Sequence, residues 1–303
     1  MKAARVLRFG PPNIIINDDL PRPEPAAGQL LVRVKAAGVG NWDALIREGK
    51  VELQPLLLIL GSELSGIVEA IGAEVSGFKL GDEVYGATNE QFTGAYAEYA
   101  LPSARMMAQK PKTLNFIEAA SAPIVTITAW QMLFDYAHVT AGQTVLIHGA
   151  AGNVGAYAAQ LASQAGLHVV ATAASADMDY VRGLGAERVV DYQTERFEES
   201  VTGVDVVLDT VGRHAAAVAS SPEARWDSRL CRVTCSRGNT KTLWRSSSVF
   251  LCGCDYSAAD QDHRTVRQRK TSYGRRDCAP AWKKLALPTR CLEERRISAA
   301  RSC

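Results

Sequence analysis

Apolar and polar positions change their rhythm twice along this chain. Over the first 110 residues, short alternating or β-rich stretches, Leu30 to Ala36, Gly66 to Ile71 and Ala95 to Leu101, are separated by turn signals such as Pro21-Arg22-Pro23-Glu24-Pro25. That pattern predicts a small β-rich domain. From Asn115 the rhythm turns helical. Asn115 with Glu118 three residues on is a capping-box signature, and Thr126 to Ala137 follows with a helical apolar period.

A different grammar then begins. Thr144 to His148 is an apolar run, followed by a glycine turn and a helix from Asn153 to Ala165. A second apolar strand, His168 to Ala173, leads to a helix ending near Gly185. Short strands at Arg188 to Val190 and Val204 to Asp209 continue the series. Strands apolar on both faces and alternating with helices predict a parallel sheet covered by helices, an α/β architecture. The alternation stops after Gly212. The reading is therefore three segments: residues 1–122, 123–212 and 213–303.

The turn Gly149-Ala150-Ala151-Gly152-Asn153-Val154-Gly155 carries the clearest chemistry. Glycines between a strand and a helix let the backbone approach a pyrophosphate and let the helix pack closely on the strand. The helix N-terminus adds N–H groups and a partial positive charge. A glycine trio alone also occurs as a purely structural turn, so the flanking strands decide the reading in favour of a dinucleotide site. An acid at the end of the second strand would bind the ribose 2′-hydroxyl of NAD, whereas its absence leaves room for the 2′-phosphate of NADP. This strand ends Thr172-Ala173-Ala174-Ser175, and Asp177 beyond it reads as a solvated residue at a helix start.

Composition sharpens the division. At 47% hydrophobic and 22% charged, the 303 residues read as a globular protein with room for two cores. The longest apolar run, Leu56 to Leu60, is too short to span a bilayer, and Met1 to Gly10 lacks a signal-peptide core, which predicts a cytoplasmic protein without a membrane partner. Residues 1–212 hold 15 Lys and Arg against 24 Asp and Glu, but residues 213–303 hold 19 against 8. All seven cysteines fall in that last segment.

Several stretches in order resemble the zinc-free quinone-oxidoreductase, zeta-crystallin-like branch of the medium-chain dehydrogenase/reductase superfamily. They are Ala37-Gly38-Val39-Gly40-Asn41-Trp42-Asp43, Leu60-Gly61-Ser62-Glu63-Leu64-Ser65-Gly66, Lys79-Leu80-Gly81-Asp82-Glu83-Val84, Gly94-Ala95-Tyr96-Ala97-Glu98-Tyr99, Thr128-Ala129-Trp130 and the glycine turn. The resemblance implies a GroES-like substrate domain followed by a Rossmann doubly wound parallel sheet, with the active site in the cleft between them. It also implies a homodimer paired through the edge of the Rossmann sheet, an edge that falls in the region where the pattern is lost.

Zinc-dependent relatives carry a cysteine and a histidine where this chain has Gly40 and Ser62, and a serine or threonine proton relay where it has Trp42. Neither glycine nor an ordinary serine replaces a zinc-ligating thiolate or imidazole. The implied reaction is hydride transfer to an acceptor already electron-poor, a quinone or an α,β-unsaturated carbonyl. The alternative is a nucleotide-binding or inactive member of the same family.

By position, Asn41 and Asp43 are the candidate catalytic residues, Asn41 offering an amide hydrogen bond and Asp43 holding the loop, with local backbone bonding as their competing role. The candidate cofactor residues are Thr128, Gly149, Ala150, Gly152, Asn153, Val154, Gly155, Ser175 and Tyr192, with no metal ligands. Ser175 and Tyr192 match positions that contact the adenine ribose phosphate in NADP-using members. Against this, the basic residue expected one turn beyond the second strand is missing; on balance NADP(H) is favoured over NAD(H). Val51 stands where quinone reductases often have a tyrosine. His148 reads as a packed strand-end residue without chemistry.

After Asp209-Thr210-Val211-Gly212 no further strand pattern is legible. Residues 213–303 are rich in Arg, Ser, Cys and Trp and contain a single isoleucine, Ile297. Out-of-frame translation is the favoured reading, because a half-built parallel sheet exposes unpaired edges. A basic surface around Arg264 to Lys270 is an alternative, although no nucleic-acid-binding module is recognisable there. Metal binding through Cys231, Cys235, Cys252 and Cys254 is another, with spacings that differ from the usual Cys-x2-Cys knuckle.

Overall fold

A computed structural model describes residues 1–51 and 58–211 in full, together with the backbone of Arg229–Arg232. The remaining expectations for the tail, and the start of the Leu56–Leu60 run, lie outside the described residues.

The first half is built from β1 (Lys2–Val6), β2 (Ile15–Asp19), β3 (Leu30–Ala37), α1 (Asn41–Arg47), β4 (Leu58–Ile59), β5 (Glu63–Ile71), β6 (Glu83–Ala87), β7 (Tyr99–Ala100) and β8 (Met107–Gln109). A three-stranded sheet runs β2-β1-β4 and a five-stranded antiparallel sheet runs β7-β3-β5-β6-β8. The inward faces of β3, β5 and β6 bury Leu30, Val32, Leu64, Val68 and Val84 together with Met107. This is the β-rich, GroES-like unit. The stretch Ala95–Leu101 forms less strand than its alternation predicts. Ala95 and Tyr96 donate instead to the carbonyls of Gly61 and Leu60, and only Tyr99–Ala100 joins the sheet.

Next come α2 (Phe116–Ala120) and α3 (Pro123–Trp130). The capping box forms: the Asn115 side chain accepts from Glu118 N at 2.9 Å, and the Glu118 carboxylate accepts from Asn115 N at 2.9 Å. The helix expected over Thr126–Ala137 starts three residues earlier, with Pro123 in its first turn, and changes to π geometry over Gln131–Tyr136. Proline suits a first turn because its missing N–H has no intrahelical partner there.

The second half alternates β9 (Thr144–His148), α4 (Asn153–Gln164), β10 (His168–Ala173), α5 (Met178–Gly183), β11 (Arg188–Asp191), α6 (Phe197–Ser200), β12 (Val206–Asp209) and β13 (Arg229–Arg232). All pairings are parallel, in the order β11-β10-β9-β12-β13. Relabelled by their sequence in this half, the strands run 3-2-1-4-5, the doubly wound order of a dinucleotide-binding fold. Helix α4 buries Ala156, Ala158, Ala159 and Ala162 in the core that also holds Val145, Ile147, Val169 and Ala171. Alanines on that face let the helix lie close to the sheet.

Strand β13 corrects the expectation that no strand follows Gly212, since its backbone pairs with β12 from Val206↔Arg229 to Asp209↔Arg232. Four residues with an arginine at each end carry too little apolar signal to be read as a strand from sequence. Among the described residues, no helix is long and apolar enough to cross a membrane.

Candidate active site

The turn after β9 lies where the strand order reverses, between β9 and β12, the place where open α/β sheets bind their ligands. Gly149 has φ +72°, a conformation that side chains resist. A Cβ there would also meet Val211 Cγ2 at 2.6 Å and Thr210 Oγ1 at 3.0 Å, so the end of β12 walls one side of the turn. Thr210 Oγ1 donates to the His148 carbonyl at 2.7 Å and ties the two strand ends together.

The second and third glycines serve different needs. A Cβ on Gly155 would sit 2.2 Å from the Gly149 carbonyl oxygen, so only glycine lets α4 seat against the turn. Gly152 caps α4 in an extended conformation, donates to Gly149 O at 2.9 Å, and with Asn153 is exposed. Val154 is half-buried, whereas Ala150 is fully buried and its N–H reaches the Thr172 carbonyl at 3.2 Å. A cradle that a side chain would fill, open at a helix N-terminus, fits a dinucleotide pyrophosphate.

Thr172 supports this turn from β10, its hydroxyl accepting from Gly149 N at 3.3 Å. His148 is wholly buried, with Nδ1 3.2 Å from that hydroxyl and its ring edge-on to Phe197. It occupies the packed position expected of it.

Beyond β10, Ser175 is exposed and its hydroxyl donates to Asp191 Oδ2, at the end of the neighbouring β11. Asp191 Oδ1 accepts from Gln193 N at 2.9 Å. These bonds hold the Asp191 carboxyl below the usual carboxylate range, the Ser175 hydroxyl first among them. Tyr192 is half exposed beside them. Asp177 is exposed at the start of α5. Thr128 is buried in α3 and donates to the Ile124 carbonyl at 2.8 Å.

A second group gathers at the start of α1. Asn41 is exposed in the first turn, while Asp43 is buried and accepts three hydrogen bonds: Gly40 N at 2.8 Å, Ser62 Oγ at 2.8 Å and Tyr96 OH at 2.9 Å. Gly40 offers no ligand atom and the Ser62 hydroxyl is committed to Asp43. Trp42 packs edge-on to Phe92, and Val51 is buried in the apolar cluster behind α1.

Glu63, next to Ser62, is buried against Gly38, and its Oε2 accepts from Ile124 N at 2.8 Å, capping α3 from the β-rich unit. Burial pushes its carboxyl up to about 8, the Ile124 N–H pulls it down, and the Asp43 carboxylate pushes it up again. Burial and the same aspartate push the Tyr96 hydroxyl well above its ordinary range. No role for Glu63, Tyr96 or Asp191 follows from the sequence pattern alone. An acid opening a strand of small and apolar residues was the signal for Glu63, and an acid closing a short strand was the signal for Asp191.

An antiparallel unit carrying a polar loop, joined to a 3-2-1-4-5 parallel sheet with a glycine cradle at its switch point, defines a two-part protein with the doubly wound order of dinucleotide-binding folds. Residues 26–112 match the alcohol dehydrogenase GroES-like domain, and residues 153–225 match the zinc-binding dehydrogenase family. The chain is 36% identical over 218 residues to a quinone oxidoreductase of Pongo abelii, covering 69% of this chain and 66% of that protein. It is 34% identical over 230 residues to a 2-methylene-furan-3-one reductase of Solanum lycopersicum, covering 72% and 59%. A mycobacterial protein solved in complex with NADPH superposes with a TM-score of 0.62 at 33% identity, covering 70% of this chain and 67% of that one. The chain belongs to the medium-chain dehydrogenase/reductase superfamily, in its quinone-oxidoreductase branch. It spans about two thirds or less of the length of these curated relatives.

Proposed function

We propose that this chain is an NADP(H)-dependent oxidoreductase that transfers hydride to a quinone or an α,β-unsaturated carbonyl without zinc. The observation that carries the reading is the cradle at the switch point, where Gly155 fits only as glycine against the Gly149 carbonyl. The domain division is 1–122 for the substrate unit, 123–212 for the nucleotide unit and 213–303 for the tail.

The dinucleotide, when bound, supplies the hydride. Gly149, Ala150, Gly152, Asn153, Val154 and Gly155 present backbone to its pyrophosphate, Ser175 and Tyr192 flank its adenine ribose, and Thr128 completes the site from α3. The end of β10 carries no acid, which leaves room for a 2′-phosphate and favours NADP(H). Asn41, exposed at the first turn of α1, donates its amide to the substrate carbonyl. Asp43 is a positioning residue that holds the first turn of α1 in place through its three hydrogen bonds.

With glycine at position 40 and a committed hydroxyl at Ser62, the described residues of the site offer no metal-ligand set to polarise a carbonyl. The acceptor therefore brings its own electron deficiency. Nicotinamide absorbance followed with NADPH plus a simple quinone, and separately with an enone, tests the reading; no turnover of any activated acceptor refutes it. The break in pattern at residue 212 favours a second reading, a nucleotide-binding protein without turnover, as an out-of-frame tail would leave it. Tight NADPH binding with no reaction selects that one.

A further inference from the structure

We infer that Asp191 is a selectivity residue for the cofactor ribose, narrowing the margin by which a 2′-phosphate is preferred over a 2′-hydroxyl. This rests on the dinucleotide reading above and extends it to a residue outside the glycine turn.

The ends of β10 and β11 lie side by side, with Ala173 opposite Asp191. In this fold the ribose sits beyond the end of the second strand, which here is β10, so Ser175 is the side chain that meets it. An ionised carboxylate only accepts hydrogen bonds, so in the Ser175–Asp191 pair the serine is the donor. Its single proton is thereby used, and the hydroxyl turns only lone pairs outward. A ribose 2′-hydroxyl donates to such an oxygen. A 2′-phosphate, which at neutral pH only accepts, does not.

The charge acts in the same direction. Asp191 is kept anionic by Ser175, by the N–H of Gln193 and by the hydroxyl of Thr194, and a phosphate placed beside it meets a like charge. No lysine lies between residues 175 and 200, and the arginines there are engaged elsewhere: Arg182 with Asp179, Arg196 with Glu199, and Arg188 with the Ser200 carbonyl. The open end of β10 admits the phosphate, and Asp191 opposes it.

The test is titration of the full chain and its variants with NADPH and with NADH, read by quenching of tryptophan fluorescence. Asp191→Asn keeps an acceptor for Gln193 N–H, releases the serine proton and removes the charge. It is expected to tighten NADPH binding on the order of tenfold while leaving NADH within about twofold, the scale of one charge-assisted hydrogen bond. An unchanged ratio of the two Kd values overturns the inference. Ser175→Ala leaves the carboxylate facing the ribose without its donor, so the ratio is expected to move severalfold the other way, toward NADH; no change, or movement toward NADPH, overturns it as well. Should Asp191→Asn fail to fold, Ser175→Ala decides alone. A wild-type chain that binds neither nucleotide refutes the dinucleotide reading itself, a result distinct from equal binding changes for both.

Discussion

Replacing Glu63 by glutamine should flatten the dependence of stability on pH. Glu63 is buried against Gly38 and caps α3, with its carboxyl raised from an ordinary 4.5 to about 8, chiefly because burial penalises the charge. The Asp43 carboxylate and the Tyr96 hydroxyl are its titratable neighbours. An acid whose folded pKa lies above its unfolded value contributes stability that is complete below about pH 4.5. That contribution is lost as pH rises through about 8. The full difference corresponds to on the order of 4–5 kcal/mol at 1.36 kcal/mol per unit, and relaxation around the ionised group reduces what is observed to about half.

Glutamine keeps the acceptor for Ile124 N–H and carries no charge at any pH. Glu63→Gln should match the wild type to within about 1 kcal/mol near pH 5 and exceed it by about 2 kcal/mol or more at pH 9, a gain in Tm of roughly 4–8 °C for a domain of this size. Urea and thermal unfolding of both proteins at pH 5, 7 and 9 measure this. If the two stability curves run parallel across that range, Glu63 is not the titrating group and the argument from its burial is wrong.

Three further outcomes follow from contacts already described. Gly155→Ala places a methyl 2.2 Å from the Gly149 carbonyl, so α4 must shift; denaturant unfolding should show a loss of about 1–3 kcal/mol, and NADPH titration a weakened affinity. Asp43→Ala strips the acceptor from Ser62 and Tyr96 inside the protein and should cost about 2–4 kcal/mol, with Asp43→Asn recovering part of it in the same assay. Asn115→Ala removes the cap of α2 and should lower stability by about 1 kcal/mol, without changing nucleotide affinity.

The nucleotide unit was legible because its strands are buried on both faces and read as apolar runs broken by helices with sharp ends. Thr144–His148 and His168–Ala173 were read at their observed boundaries. The π segment at Gln131–Tyr136 was not, since an apolar helical period fits both i→i+4 and i→i+5 bonding. Strand β13 escaped because Arg229 and Arg232 frame only two intervening residues. The glycine turn is contiguous and could be seen. The Asp43 cluster is not: Ser62 lies 19 residues away and Tyr96 lies 53 away, distances over which a single sequence carries no pairing information. Ser175, just beyond the end of β10, and Asp191, at the end of the neighbouring β11, are 16 residues apart and were hidden for the same reason.

The wall that Thr210 and Val211 set against Gly149 binds the inheritance of two distant segments together. The space that a side chain at position 149 would take is occupied by Val211 Cγ2 and Thr210 Oγ1, and φ +72° strains a side chain there whatever the space, so room made at 210 and 211 alone does not release position 149 from glycine. Glycine at 149 is therefore expected to persist even where positions 210 and 211 change. An insertion near residue 210 would disturb the glycine cradle as directly as one within the turn itself.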